Sequence, residues 1–247
     1  MKFFAKVLLL SVITSVVLCN YSIDIATLFD NYKCFVDNGY DLAIIRAYRS
    51  IGQVDSNANT NLLNARAAGM KTDVYMFPCI NVSKITAEQQ VDDMINNLSQ
   101  ISNQQEPSLN FRNLFFANQN KSNQNGDVYD RIWVDIETNP STSCSWDNIS
   151  SFQDRCNYIQ RIVDQILKRG KQVGIYASHF MWQSIFGDSN NCLNFSQYPL
   201  WYARYNNVKD TSDYSQYPFG GWSSAYSKQF AGSVSVCDTD VDLSYYA

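Results

Sequence analysis

The chain has 247 residues with 19 basic side chains, 23 acidic ones and a single histidine, which gives a net charge of −4. This balance argues against a basic surface for nucleic acids, and one histidine leaves little room for mechanisms that need an imidazole base. The aromatic residues, 16 Tyr, 14 Phe and 5 Trp, suit a large core and also a groove for sugar rings.

The N-terminal segment has the pattern of a secretory signal peptide. Two lysines precede an apolar run over residues 7–18, and small residues precede a cut that we expect before Asn20. The run is too short for a membrane anchor, which needs about 20 apolar residues. We therefore predict that residues 1–19 are removed, with the mature protein secreted outside the cell or delivered to a lysosomal or phagosomal lumen. We expect no membrane association after this removal.

Residues 20–247 have the length of one large domain, and we predict a single-domain monomer. Loss of two lysines leaves 17 basic against 23 acidic residues, a net charge near −6. Cys19 lies in the signal, so six of the seven cysteines remain, which predicts three disulfides with fifteen possible pairings. Structural zinc is disfavoured because no Cys-x-x-Cys pair occurs. Asn-x-Ser sequons that agree with secretion begin at Asn20, Asn81, Asn97, Asn120, Asn148 and Asn194.

Along the mature chain, short β-type runs alternate with helical patterns. Strands are predicted at Tyr21 to Ile25, Asp41 to Ala47, Lys71 to Phe77, Arg131 to Ile136, Lys171 to Ala177, Leu200 to Ala203, Lys228 to Ala231 and around Asp240 to Leu243. Helices are predicted at Thr27 to Asp37, Asn57 to Ala68 with Gly69 as a C-terminal cap, Thr86 to Ile101 with a Thr86-x-x-Gln89 capping box, and Ile149 to Lys168.

Residues 102–129 interrupt the alternation. They are rich in Asn, Gln and Ser, and residues 117–126 read as a surface loop, with Leu114, Phe115 and Phe116 anchoring a short element. The remaining alternation predicts a parallel sheet covered by helices, and a closed β/α barrel competes with a doubly wound open sheet. We favour the barrel because the phosphate-binding patterns GxGxxG and GxxxxGK[ST] are missing.

In such a barrel, reactive groups lie at the C-terminal ends of strands. Asp135-Ile136-Glu137 directly follows an apolar strand, so its two carboxylates face the same side with Cα atoms roughly 6.5–7 Å apart. Two close, partly buried acids have separated pKa values, so that one stays protonated while the other is ionised. Cleavage of a glycosidic bond needs both forms, because one carboxyl protonates the leaving oxygen and the other stabilises or attacks the cationic centre. The alternative is a solvated strand end with no catalytic role.

Acids on two other strands strengthen this interpretation. Asp24 lies inside the apolar first strand and Asp242 inside the last, and these strands are neighbours in a closed barrel. A buried acid is costly unless it is paired or used in function. The alternatives are a helix N-cap for Asp24, and a partner of Arg46 or Arg204 for Asp242.

Seven ordered segments resemble the family 25 glycoside hydrolases, the Chalaropsis-type lysozymes, and suggest the eukaryotic branch. They are YSIDIA, AIIRAY followed by Val54-Asp55, NARAAGMKTDVYMF, WVDIE, VGIYAS, PLWYARY and VDLSYY. The resemblance spans nearly the whole mature chain. It implies an irregular β/α barrel with fewer helices than strands, and a secreted lysozyme that hydrolyses the β-1,4 bonds of bacterial peptidoglycan, without a metal or organic cofactor.

The resemblance also implies the roles of individual residues. Glu137 would be the general acid, and Asp135 would hold the substrate's N-acetyl group or tune the pair. Asp24 and Asp242 would line the same pocket. The sugar groove would be shaped by Tyr75, Tyr176 and Trp201.

The sequence departs from the family pattern at Ala26, residues 48–50, Met76 and Ser244, and none of these changes removes a carboxylate. His179 is interpreted as a packing or capping residue. Two other functions stay open: a catalytically silent glycan-binding protein on the same fold, and a chitinase-like glycosidase.

Overall fold

The computed structural model describes residues 20–81, 83–104 and 127–247, and these form a closed eight-stranded barrel. The strands are β1 (Tyr21–Ile25), β2 (Leu42–Arg49), β3 (Gln53–Val54), β4 (Lys71–Met76), β5 (Arg131–Asp135), β6 (Gln172–Ala177), β7 (Leu200–Ala203), β8 (Ser227–Val236) and β9 (Thr239–Tyr246). The short β3 only extends the edge of β2, and the other eight strands close through the pairing of β1 with β2.

The strand directions make the barrel irregular. Six parallel pairings run from β1 through β2, β4, β5, β6 and β7 to β8. The last strand, β9, is antiparallel to both of its neighbours, β8 and β1. The predicted barrel, with the first and last strands adjacent, is therefore confirmed.

The described residues contain five α-helices, fewer than the strands, as predicted. They are α1 (Tyr32–Asp37), α2 (Ala58–Ala67), α3 (Ala87–Gln104), α4 (Phe152–Lys168) and α5 (His179–Phe186). The prediction that a helix begins at Thr27 was wrong. Side chains of α2 bind this stretch instead: Asn61 Nδ2 donates to the Thr27 carbonyl at 2.8 Å and Asn64 Nδ2 to the Phe29 carbonyl at 3.0 Å. These bonds occupy carbonyls that a longer α1 would have used within the helix.

The helix-end signals behave as the sequence indicates, with one difference. Gly69, just after α2, has a positive φ of 89°, which glycine adopts without strain. The Thr86 hydroxyl accepts a hydrogen bond from the Gln89 backbone N–H at 3.1 Å, as an N-cap does. The Gln89 side chain, however, donates to Asp93. The capping box is therefore half formed.

Two hydrophobic cores follow from the alternation of side chains along the strands. The larger core lies between the outer face of the barrel and the helices, and most of its residues are fully buried. The smaller core fills the barrel interior around Trp133, Tyr176 and Trp201. Trp133 reaches the centre because Gly174 on the neighbouring strand has no side chain: a Cβ there would lie 2.3 Å from the Trp133 ring.

All six cysteines of the described residues form disulfides, and the structure selects one pairing from the fifteen possible. The bonds are Cys34–Cys237, Cys79–Cys144 and Cys156–Cys192. The first joins α1 to the turn between β8 and β9, so it links the two ends of the barrel sequence. No helix in the described ranges is both long and apolar enough to span a bilayer. The predicted loop at 117–126 and the element at 114–116 lie outside the described residues.

Candidate active site

Four carboxylates lie at the end of the barrel where the parallel strands terminate. Asp24 on β1 is directly opposite Asp242 on β9 in the antiparallel register. Asp135 is the last residue of β5, and Glu137 follows two residues later. We call the opening lined by these four acids the cleft. The structure thus brings together all four acids that the sequence singled out.

A single glutamine connects the first and last strands within the cleft. Gln229 of β8 is buried, and its Nε2 donates to Asp24 at 2.9 Å and to Asp242 at 3.0 Å. Its Oε1 accepts hydrogen bonds from the hydroxyls of Tyr176 at 2.6 Å and Tyr205 at 2.9 Å. Both polar atoms of the amide are therefore used, and they fix the two aspartates relative to the tyrosines.

The acids influence one another, which is the electrostatic sign of a shared site. Burial raises the pKa of Asp24, the charges of Asp242 and Glu137 raise it further, and the hydrogen bond from Gln229 lowers it. Burial, followed by the charge of Asp242, raises the pKa of Glu137. For Asp242, burial raises the pKa while the Ser233 backbone N–H, at 2.6 Å, lowers it. Protons are consequently held in the cleft at pH values where isolated carboxyls would be ionised.

Asp135 is the most enclosed of the four. It is 5% exposed, and its Oδ1 atom has no hydrogen-bond partner among the described residues. Burial and the charges of Glu137 and Asp24 raise its pKa, whereas Arg46 lowers it. The Arg46 guanidinium is itself held by Asp55, whose Oδ2 accepts from Nε at 2.6 Å. Asp135 therefore offers an unused buried acceptor that a bound molecule could engage.

This geometry excludes the structural alternatives for the two end strands. Asp24 is not an N-cap, since α1 begins only after Asn31. Asp242 does not pair with either arginine: Arg46 binds Asp55, and Arg204 lies 3.4 Å from Asp213.

This chain is similar in sequence to known lysozymes and lysozyme-like proteins. A family model described as Lysozyme-like protein 1 matches residues 16–116 and 101–230. Probable GH family 25 lysozyme 2 of Dictyostelium discoideum is 31% identical over 246 residues, which cover 99% of this chain and 96% of the relative. The chain belongs to the family 25 glycoside hydrolases.

Solved structures show the same fold at low sequence identity. A muramidase from Acremonium alcalophilum matches this family 25 hydrolase with a TM-score of 0.64 at 19% identity, covering 92% of this chain and 93% of the other. The modular autolysin LytC from Streptococcus pneumoniae, in complex with synthetic peptidoglycan ligand, matches with a TM-score of 0.66 at 19% identity. That match covers 92% of this chain and 46% of the autolysin.

The three predicted groove aromatics of this hydrolase differ in exposure. Tyr75 is partly exposed, whereas Tyr176 and Trp201 are 5% and 2% exposed. Tyr176 packs against Trp201 with ring centroids 4.4 Å apart, and the Trp201 indole N–H donates to Ser244 at 3.0 Å. Tyr176 and Trp201 thus lie inside the barrel beneath the cleft, and their assignment to the sugar groove remains a prediction.

His179 is not among the groups that surround the four acids. It begins α5, and its Nδ1 lies 3.2 Å from the carbonyl oxygens of Tyr217 and Pro218. An Nδ1–H donor suits both contacts. This geometry agrees with the packing interpretation of His179.

Sequence reasoning missed Gln229, Tyr205 and the positioning of Arg46 by Asp55. Gln229 stands in a predicted strand, KQFAG, where a buried amide needs partners. A polar residue in that strand could have marked Gln229 as unusual, but it does not indicate where the partners of its amide lie. Within the described residues, no group of three or more His, Cys, Asp or Glu is arranged to hold a metal ion.

Proposed function

We propose that this hydrolase is an N-acetylmuramidase that cleaves the β-1,4 bonds of peptidoglycan, with Glu137 as the general acid. The observation that carries the proposal is the meeting of four mutually repelling carboxyls in one cleft. Glu137 is the member that lies beyond the strand end and is only partly buried, so a glycosidic oxygen can reach it. Its raised pKa, caused by burial and the charge of Asp242, favours the protonated form that a general acid needs.

Asp135 supplies the complementary role. Its buried, unpartnered Oδ1 suits a hydrogen bond from the N–H of an N-acetyl group next to the cleaved bond. Such a bond would fix the sugar and place negative charge beside the cationic centre of the transition state. Asp24 and Asp242, tied together by Gln229, complete the acidic wall.

We also propose that the protein works after secretion, as a single-domain monomer of residues 20–247. The signal pattern of residues 1–19, the three disulfides and the sequons support this. The substrate would be bacterial peptidoglycan, met either outside the cell in defence or in a digestive lumen.

The test compares wild type with Glu137→Gln in a wall-lysis assay, followed by mass analysis of the released reducing ends. We expect muramic acid at the new reducing ends, and a loss on the order of 10²- to 10⁴-fold or more in the variant. Glu88→Gln is the matched control, since Glu88 lies on α3 and pairs with Arg161 at the surface. Retained lysis in Glu137→Gln would remove this residue from the mechanism.

Two further outcomes separate the alternative functions. A wild type that binds walls but releases no reducing ends would identify a silent glycan-binding protein. Faster cleavage of chitin than of walls would identify a chitinase-like glycosidase, because chitin lacks the lactyl group of muramic acid. In addition, Asp135→Asn should strongly reduce turnover, and an unchanged rate would exclude Asp135.

A further inference from the structure

A second concavity of about 340 Å³ lies beside the cleft, and we call it the side pocket. Two of its lining residues lie at strand ends: Ser178 directly follows β6, and Ala203 is the last residue of β7. Ala203 is the register partner of Gln229, and the Arg204 backbone N–H donates to the Gln229 carbonyl at 2.9 Å. The side pocket therefore opens at the same end of the barrel as the four acids, one strand away from them.

Two cations lie around Asp213, the carboxylate that lines the side pocket, and the exposed Asp210 lies near enough to interact with Lys228 and Tyr202. Asp213 accepts a hydrogen bond from the fully buried Lys228 at 2.8 Å, and it also accepts from Tyr202 and Asn206. Lys228 thus already neutralises this carboxylate. Arg204 is only 3.4 Å from the same oxygen and adds a second cation, in a chain whose net charge is negative.

Arg204 also has unused hydrogen-bond donors. Its Nη1 makes long contacts of 3.3 Å to the Asp213 carbonyl and 3.4 Å to Gln216. Neither its Nε nor its Nη2 has an acceptor in the part of the chain that the structure describes. The guanidinium lies 4.3 Å from the centroid of the Tyr217 ring, which holds its plane in place. A planar, half-exposed guanidinium with free donors is a suitable partner for a carboxylate.

The rest of the side pocket suits a small organic group. Its walls include Tyr214 and Phe219, which are buried, while Phe180 and Tyr217 stand exposed at its rim. At the rim, His179 turns its Nδ1 toward two backbone carbonyls, which leaves Nε2 as a further polar atom. The pocket thus combines apolar surface with the Arg204 cation and with Asp213, whose charge Lys228 already neutralises.

We propose that the side pocket binds the carboxylate-bearing peptide branch of the peptidoglycan strand, with Arg204 as its anion partner. This inference rests on the proposed function, because it assigns a second part of the same substrate. The glycan backbone itself is uncharged, whereas its lactyl-linked peptide carries free carboxylates. A strand held in the cleft would place a branch beside β6 and β7, where the Arg204 guanidinium keeps unused donors. The pocket would then favour peptide-bearing strands over bare glycan.

The first test measures binding directly, by calorimetry, with a soluble muramyl peptide that carries a free carboxylate and with its carboxamide analogue. Wild type should bind the acid on the order of tenfold or more tighter than the amide, as a hydrogen bond to a charged group predicts. Arg204→Gln should remove this difference, and Arg204→Lys should retain part of it. Lys168→Gln, which removes a cation from the exposed end of α4, should behave like wild type. Thermal melting verifies that each variant is folded.

The second test compares kcat/KM on peptide-bearing walls with kcat/KM on the same walls after their peptide carboxylates have been converted to carboxamides. Arg204→Gln should lower the ratio of these two values several-fold. Equal affinity of wild type for acid and amide, or an unchanged ratio in Arg204→Gln, would overturn the side-pocket assignment. If the proposed function is wrong, wild type cleaves neither substrate, and this outcome is distinct from failure of the side-pocket assignment. The calorimetric comparison of acid and amide still tests the pocket in that case.

Discussion

Gln229 offers a demanding test of the cleft, because four polar groups depend on its one amide. Gln229→Met keeps the length of the side chain but removes both donors and the acceptor. Asp24 would lose its hydrogen bond of 2.9 Å, and Asp242 would lose its hydrogen bond of 3.0 Å. The hydroxyls of Tyr176 and Tyr205 would lose the acceptor that they share. The change is therefore confined to polarity at a buried position.

The expected cost follows from which groups can find a replacement. Asp242 keeps the Ser233 N–H, and Tyr205 is exposed enough to bind water, so these two contribute little. Asp24 loses a bond to a charged group, about 1.5–3 kcal/mol, and Tyr176 a neutral one, about 1 kcal/mol. We expect unfolding to become easier by about 3 kcal/mol at neutral pH, which corresponds to about 6–12 °C in melting temperature.

The pH dependence separates this mechanism from a simple packing defect. Gln229 stabilises the ionised form of Asp24 and so lowers its pKa, although burial keeps that pKa raised overall. The stabilisation by Gln229 is thus present where the carboxylates are ionised and is lost as pH falls through their folded-state pKa values. Urea unfolding of wild type and Gln229→Met should therefore converge as pH falls. The same loss should move the acidic limb of the kcat/KM profile to higher pH.

Gln165→Met provides the matched control. Gln165 is also buried and donates to one aspartate, Asp92, but it does so at the contact between α3 and α4. It should lower stability without moving the pH profile of hydrolysis. If Gln229→Met were as stable as wild type at neutral pH, or if both variants moved the profile alike, our account of the cleft would be refuted.

Three further predictions concern the barrel. Asp24→Asn should raise the melting temperature at neutral pH while it lowers hydrolysis, since burial and neighbouring acids make ionisation of Asp24 costly; a gain of the same size at acidic pH would contradict this. Replacing Cys34 and Cys237 together by serine should lower the free energy of unfolding by about 2–5 kcal/mol in urea titrations, because this bond spans 203 residues; unchanged stability would show that it constrains little. Gly174→Ala should cost about 1–3 kcal/mol in the same assay, since its Cβ would lie 2.3 Å from the Trp133 ring, and a neutral effect would mean that the ring has room to move.

Local pattern was sufficient for much of the architecture. The first strand and β7 have the predicted bounds, and the acids at 135, 137, 24 and 242 could be identified because they interrupt or closely follow apolar strands. Strand periodicity and the cost of burying a carboxyl are properties of short segments, so they are visible in the chain itself. Their expected convergence followed from one further assumption, the closure of the barrel.

The start of α1 shows where local pattern is insufficient. Residues 27–31 have helical spacing, yet Asn61 and Asn64 bind their backbone from another helix. A contact between residues more than 30 positions apart outweighs a local preference of a few tenths of a kcal/mol per residue.

The sequence alone thus determined most of the strand and helix succession, though not β3 or α5, as well as the number of disulfides and the acids worth examining. The disulfide pairing, the role of Gln229 and the unused donors of Arg204 were decided only by the tertiary structure. The physical reason is the same for all three. Each depends on which distant side chains come within a few ångströms, and the closure of the barrel sets those distances.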